Sequence, residues 1–192
     1  LEIIKNICKN DTLVNVLTLS RNFGYQASML AGLNNVKGDA IIIIDVDCED
    51  PPELLPKFIK KWEEGHDIVY GVRRKRQESK FIQLMRKIFY RLNKLISDHE
   101  VILDMAEFGL FTSYVRDLIL SNQNTFPFIR SEIAYIGLNR ASIVYDREKR
   151  VAGKSNYTFL QMFPFAVAGL LTSSTFLLRL PLYMFPLLLI FY

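Results

Sequence analysis

Four carboxylates crowd the stretch "DVDCEDPPE": Asp45, Asp47, Glu49 and Asp50 directly follow four isoleucines. Side chains two apart on an extended chain share a face, so the spacing predicts that Asp45 and Asp47 meet. Two carboxylates on one face repel unless a cation or a proton lies between them. Oxygen ligands without a neighbouring histidine select a hard cation, Mg2+ or Mn2+. Such ions are commonly held by one or two carboxylates together with substrate phosphates, which points to a nucleotide diphosphate. The competing reading is a solvated acidic turn ahead of a helix. Asp50 is assigned to that role, since a carboxylate is favourable at a helix N-terminus.

The elements around this stretch must position it. "AIIIID" is a short, continuous β-branched run, the pattern of a strand covered on both faces. Before it, "VNVLTLS" (14–20) reads as another strand, and residues 22–36 as a helix burying Ala27, Leu30, Ala31 and Leu33. Gly38 is its stop signal. After the carboxylates, Pro52 suits the first turn of a helix carrying Leu54, Leu55, Phe58, Ile59 and Trp62. Gly65 ends that helix, and "DIVYG" is the next strand. Strand, helix, strand, helix, strand over 12–71 predicts right-handed crossovers and a doubly wound, largely parallel α/β sheet. Ligands of such sheets bind beyond the carboxyl ends of the strands, where Asp45 to Asp50 stand.

Further along, "VRRKRQESK" reads as a polar loop and 81–97 as a basic helix. "EFGLFTS" reads as a strand, with helices near 113–121 and 127–136 and a last strand in "ASIVYDRE". "KRVAGKSNYT" is a basic loop. Residues 157–175 are expected to form a juxtamembrane amphipathic helix, and 176–192, interrupted only by Arg179, the start of a transmembrane segment. Pro181 and Pro186 favour a membrane helix over a buried soluble one.

The 192 residues suffice for one domain with a sizeable core. A net charge of +4 is too slight for a nucleic-acid binder. The basic residues cluster at "RRKR" and in 86–94, suggesting local anionic partners such as phosphates or a membrane surface. Cys8 and Cys48 lack metal-site spacing and fit a reducing compartment. Cys48 is read as passive, and His66 and His99 as incidental. Gly24, Gly71 and Gly153 are positions of close approach or turns.

The ordered set "LSRNFG", "AGL…GDA", "D-x-D-x-x-DPPE", "YGVR" and "R-x-x-R-x-A-G-x-S-x-Y" resembles the family 2 inverting glycosyltransferases that act on polyprenyl phosphates. These include the bactoprenol glucosyltransferases and dolichol-phosphate mannose synthases. The resemblance covers about residues 12–160 and continues into the apolar C-terminal segment. It implies a GT-A, Rossmann-like catalytic domain over 1–156, a UDP- or GDP-linked sugar donor, a divalent metal (Mg2+ or Mn2+), and transfer of one sugar to an undecaprenyl or dolichyl phosphate. It also implies a bacterial inner-membrane protein with its catalytic domain in the cytoplasm, with homo-oligomers possible. The family's first strand would precede Leu1, so weak or no activity is expected of the 192-residue chain alone.

By the family pattern, Asp45 and Asp47 belong to the donor and metal site, and Arg21 of "LSRNFG" to the donor site. Glu49 stands at the metal where many members have Gln. Glu107 takes the place of the acidic residue in a "GDFRL"-like strand, with Asp104 as its neighbour. Asn156 stands where many members have Lys.

A lipid phosphate is already an anion and a competent nucleophile, so it needs positioning and charge neutralisation more than deprotonation. Guanidinium forks suit phosphate oxygens. Arg73, Arg86, Arg147, Arg150, Lys154 and Ser155 are therefore the acceptor-phosphate candidates, with Asp47, Glu107, Arg73 and Arg150 assigned to catalysis. Arg74, Lys75 and Arg76 read as solvated. Two other functions stay open: a family 2 transferase with a saccharide hydroxyl as acceptor, and a non-catalytic membrane-anchored binding protein.

Overall fold

The computed structural model describes residues 2–74, 84–85, 87–88, 91, 105–122, 128–148 and 174–191. A helix, α1 (Glu2–Asn10), precedes α2 (Tyr25–Asn35), which runs to strand β1 (Ala40–Ile43). A 3-10 turn (Pro52–Leu54) opens into α3 (Leu55–Glu63), and β2 (Ile68–Arg73) follows. Then come β3 (Met105–Thr112), α4 (Ser113–Ser121), α5 (Ile129–Ile136), β4 (Arg140–Tyr145) and α6 (Phe176–Phe191). Residues 84, 85, 87, 88 and 91 of the expected basic helix are helical.

Local signals account for most boundaries. The side chain of Thr112 accepts a hydrogen bond from the Val115 amide and so caps α4. Gly137 ends α5 in the left-handed conformation, φ 66°. Gly65, φ 93°, ends the α3 segment and donates its N–H to the Trp62 carbonyl.

The sheet order is β1-β3-β2-β4. β3 runs antiparallel to both β1 and β2, and only β2 and β4 pair in parallel. The largely parallel, doubly wound expectation is therefore corrected to a mixed α/β fold with a largely antiparallel four-stranded sheet. The reason is physical. A continuous apolar run reports that both faces of a strand are covered, not which way its neighbours run. β1 and β2 do point the same way, since both oppose β3, but β3 returns from far along the chain and inserts between them. Residues 14–20 form no strand: Leu13, Val16 and Leu17 are exposed, and the run pairs with no neighbour among the described residues.

Each face of the sheet carries its own apolar cluster. Ile41, Ile68, Met105 and Phe111 face α2, α4 and α5, packing with Leu33, Val115, Ile119, Ile129 and Ile133. Val69, Ala106, Phe108 and Leu110 pack with Phe58 of α3 and with Tyr145. The alternation along β2 and β3 follows the pleat.

The membrane expectation also needs correction. Among the described residues no helix is long and apolar enough to cross a membrane. α6 has 16 residues, about 24 Å at the α-helical rise, against a hydrocarbon core of about 30 Å. The transmembrane start expected at 176–192 and the expected inner-membrane location are corrected accordingly, and all but residues 174–175 of the helix expected over 157–175 lie outside the described residues.

Candidate donor-site carboxylates at the end of the sheet

β1 ends at Ile43, and Val46 and Asp47 lie in a turn. Asp47 thus lies in a turn and not on an extended strand, so the pleat does not set its side chain beside that of Asp45. Antiparallel register then delivers a third carboxylate. Ile43 faces Gly109, so continuing the same register two residues further sets Asp45 opposite Glu107.

Tyr25, in the first turn of α2, bridges this corner. Its hydroxyl donates to Asp45 Oδ1 at 3.0 Å and also meets Glu107. Burial, then the charges of Glu107 and Asp45, raise the Tyr25 pKa far above its ordinary value, so the hydroxyl remains a proton donor. Glu107 accepts from Gln26 Nε2 at 2.9 Å and pairs with Arg130 Nε at 3.3 Å. Gln26 Oε1 in turn accepts the Ile129 amide at the start of α5. Glu107 is thus oriented by two helices.

A second network lies on the α3 side. Asp50 is 1% exposed. Arg73 Nη2 donates to Asp50 Oδ2 at 3.1 Å, and the Tyr145 hydroxyl donates to Asp50 Oδ1 at 2.5 Å. Arg73 Nε donates to the Tyr145 oxygen at 3.3 Å, closing a ring of three side chains. Burial works against the Arg73 guanidinium, but the Tyr145 hydrogen bond and the Asp50 charge outweigh it and leave its pKa raised. The Tyr145 hydroxyl is pushed up to about 12, first by burial and then by its bond to Asp50. Asp50 is therefore not the helix cap expected of it: the helical segment after it begins at Pro52, its N-cap residue is Pro51, and no side chain caps it.

Glu49 forms an ion pair with Arg147, and its carbonyl accepts the Glu148 amide at 2.9 Å. Asp47 Oδ1 accepts the Glu49 amide at 3.1 Å. Arg21 is exposed, with its guanidinium 4.6 Å from the centre of the Phe23 ring. Cys48 is exposed and adopts φ 58°. Arg86, Arg150, Lys154, Ser155, Asp104, Asn156 and Gly153 lie outside the described residues.

Asp45, Glu107 and the Asp47 turn are thus gathered at one corner of the sheet, while Arg73 and Arg147 face the neighbouring carboxylates Asp50 and Glu49. Sequence reasoning missed Tyr25, Gln26, Arg130 and Tyr145. Only Tyr25 and Gln26 carried a signal, as polar residues opening an otherwise apolar helix beside "NFG".

Among the described residues, no group of three or more His, Cys, Asp or Glu side chains forms a metal-ligand cluster. Asp45, Asp47 and Glu49 are therefore not a ready three-carboxylate cage. The chemistry of Asp45 and Asp47, carboxylates with no histidine beside them in the turn, matches the other arrangement open to a hard cation, in which one or two carboxylates share the ion with substrate phosphates.

The chain is a mixed α/β protein with an acidic turn at the end of its first strand. The model of glycosyl transferase family 2 matches residues 1–119 of this chain, which belongs to that family. The chain is 34% identical over 184 residues to an uncharacterized glycosyltransferase, YkcC, of Bacillus subtilis (strain 168), covering 95% of this chain and 57% of that protein. It is 33% identical over 178 residues to the bactoprenol glucosyl transferase of Shigella phage SfX, covering 92% and 58%. It is 32% identical over 179 residues to a prophage bactoprenol glucosyl transferase homolog of Escherichia coli (strain K12), covering 93% and 58%. The chain spans a little over half the length of these curated relatives.

Proposed function

We propose that this chain forms part of a glycosyltransferase that moves a hexose from a nucleotide-sugar donor to a polyprenyl phosphate, with inversion at the anomeric carbon. The observation that carries the reading is the convergence of Asp45 and Glu107 on the Tyr25 hydroxyl, beside the Asp47 turn. Kinship with bactoprenol glucosyl transferases supports a lipid-phosphate acceptor.

In this reading Asp45 and Asp47 are the residues that would hold a Mg2+ or Mn2+ at the donor site. When bound, that ion supplies Lewis-acid neutralisation of the leaving nucleoside diphosphate. Glu107, held by Gln26 and Arg130, lies on the acceptor side, where it orients the sugar or takes up the proton of a monoanionic phosphate. The acceptor oxygen attacks the anomeric carbon in line as the bond to the diphosphate breaks. Arg150, Lys154 and Ser155, with Arg86, are the acceptor-phosphate candidates. Arg73 and Arg147 act from beside Asp50 and Glu49.

The test is incubation of the full-length protein with polyprenyl phosphate, Mg2+ or Mn2+, and a panel of radiolabelled UDP- and GDP-sugars. A lipid-linked product with at least one donor is expected. No lipid product from any donor, or transfer to a free saccharide instead, would overturn the reading.

A further inference from the structure

Two buried side chains that the proposed chemistry does not use, Asp50 and Tyr145, form a hydrogen-bonded ring with Arg73. Asp50, Arg73 and Tyr145 satisfy one another: Tyr145 donates to Asp50 and accepts from Arg73, and Arg73 also donates to Asp50. All three sit at the same end of the sheet as the donor-site aspartates. Arg73 and Tyr145 are directly opposite in the parallel β2–β4 register, and Asp50 closes the turn that contains Asp45 and Asp47.

The Tyr145 ring reaches this position because β2 makes room for it. A Cβ on Gly71 would lie 2.6 Å from Tyr145 Cε1 and 3.2 Å from the Phe108 carbonyl oxygen. Phe108 backs the ring edge-on at 5.8 Å between centroids. Two further contacts tie the turn to β4: the Glu49–Arg147 ion pair and the Glu148 amide on the Glu49 carbonyl. At its other end the turn is held by Tyr25 on Asp45. Asp47, which the proposed chemistry needs most, lies between the two anchorages.

We propose that Tyr145 and Asp50 are positioning residues: through them β4 and β2 set the conformation of the 45–50 turn, and with it the affinity of the donor-site aspartates for a divalent cation and a nucleoside diphosphate. The proposal rests on the donor-site reading above. It has a physical basis in pre-organisation. A turn already held in its binding conformation loses less freedom when the ligand arrives. Groups that orient metal ligands from behind typically change metal affinity 10–100-fold when removed. Tyr145→Phe is the cleanest probe, because the ring still fills the space over Gly71 while both hydrogen bonds of its hydroxyl disappear.

The experiment uses the full-length protein and measures Mn2+ binding in the presence of UDP or GDP, from the electron paramagnetic resonance signal of free Mn2+, alongside Tm. Tyr145→Phe is expected to weaken Mn2+–nucleotide binding about tenfold with a small fall in Tm. Gly71→Ala, which displaces the ring, should shift binding in the same direction. Ile119→Val, a core change on the opposite face, should lower Tm and leave Mn2+ affinity unchanged. If Tyr145→Phe lowers Tm but binds Mn2+ and nucleotide as wild type does, the positioning role is overturned and the ring is purely structural. If the wild-type protein binds neither Mn2+–UDP nor Mn2+–GDP, the donor-site reading itself fails and takes this inference with it.

Discussion

The two faces of the sheet end in different polar chemistry at the same corner. On the α3 face, Asp50 and Glu49 meet Arg73 and Arg147, so the carboxylates are matched by guanidinium groups and Asp50 is almost wholly buried. On the face that carries α2 and α5, Glu107 pairs with Arg130, the one guanidinium at this corner among the described residues, and Asp45 and Glu107 are otherwise served by neutral donors, Tyr25 and Gln26. A buried, matched pair keeps its charge because each partner compensates the other. A carboxylate-rich corner gains from an added cation. In the proposed reading the first network holds the turn and the second receives the ligand.

That contrast can be broken most forcefully on the buried side. Asp50→Ala removes the buried carboxylate that Arg73 and Tyr145 share, and breaking a buried pair costs up to about 3–5 kcal/mol. A loss of unfolding free energy of that order is expected from denaturant titration, with transfer lost as the fold is lost. Asp47→Ala, in the half-exposed turn, should do the opposite: unfolding stays within about 0.5 kcal/mol of wild type, while transfer falls by about 100-fold or more, as expected for losing a group that stabilises charge in the transition state.

A smaller effect tests the carboxylate-rich side. Tyr25→Phe removes the donor shared by Asp45 and Glu107, a change of about 0.5–1.5 kcal/mol. The account expects a reduced transfer rate with at most that loss of stability. An unchanged rate would show that the bridge at this corner is incidental.

The smallest effect is one of pH. The Tyr145 pKa is raised from 10.0 to about 12, so the neutral hydroxyl favours the folded state. Its contribution is fully present below pH 10 and is lost as pH rises through about 12. The stability difference between wild type and Tyr145→Phe should be constant at neutral pH and shrink across that alkaline window, followed by denaturant unfolding and by tyrosinate absorbance.

Much of this architecture was legible in the sequence, and the omissions share one cause. The "AIIII" run marked β1, Pro52 and Gly65 bracketed the α3 segment, and "EFGLFTS" marked β3. These are local signals. The order of the strands is not local: nothing near residue 105 states that β3 inserts between β1 and β2, and the run at 14–20 has strand composition without a strand partner among the described residues. The aspartates stood out because they follow one another in the chain. Their partners did not, because Tyr25 is 20 residues from Asp45 and Tyr145 is 95 from Asp50. Asp50 was read as a cap because the proline behind it is close in sequence, whereas the arginine and tyrosine that hold it are close only in the fold.

The central claim, that one carboxylate of the turn holds it while another works, is tested most directly by measuring Tm and sugar transfer side by side for Asp47→Asn and Asp50→Asn in the full-length protein. The account predicts that Asp47→Asn keeps its Tm and loses transfer, and that Asp50→Asn loses several degrees of Tm. A stable Asp50→Asn, or an Asp47→Asn that transfers sugar at the wild-type rate, would contradict it.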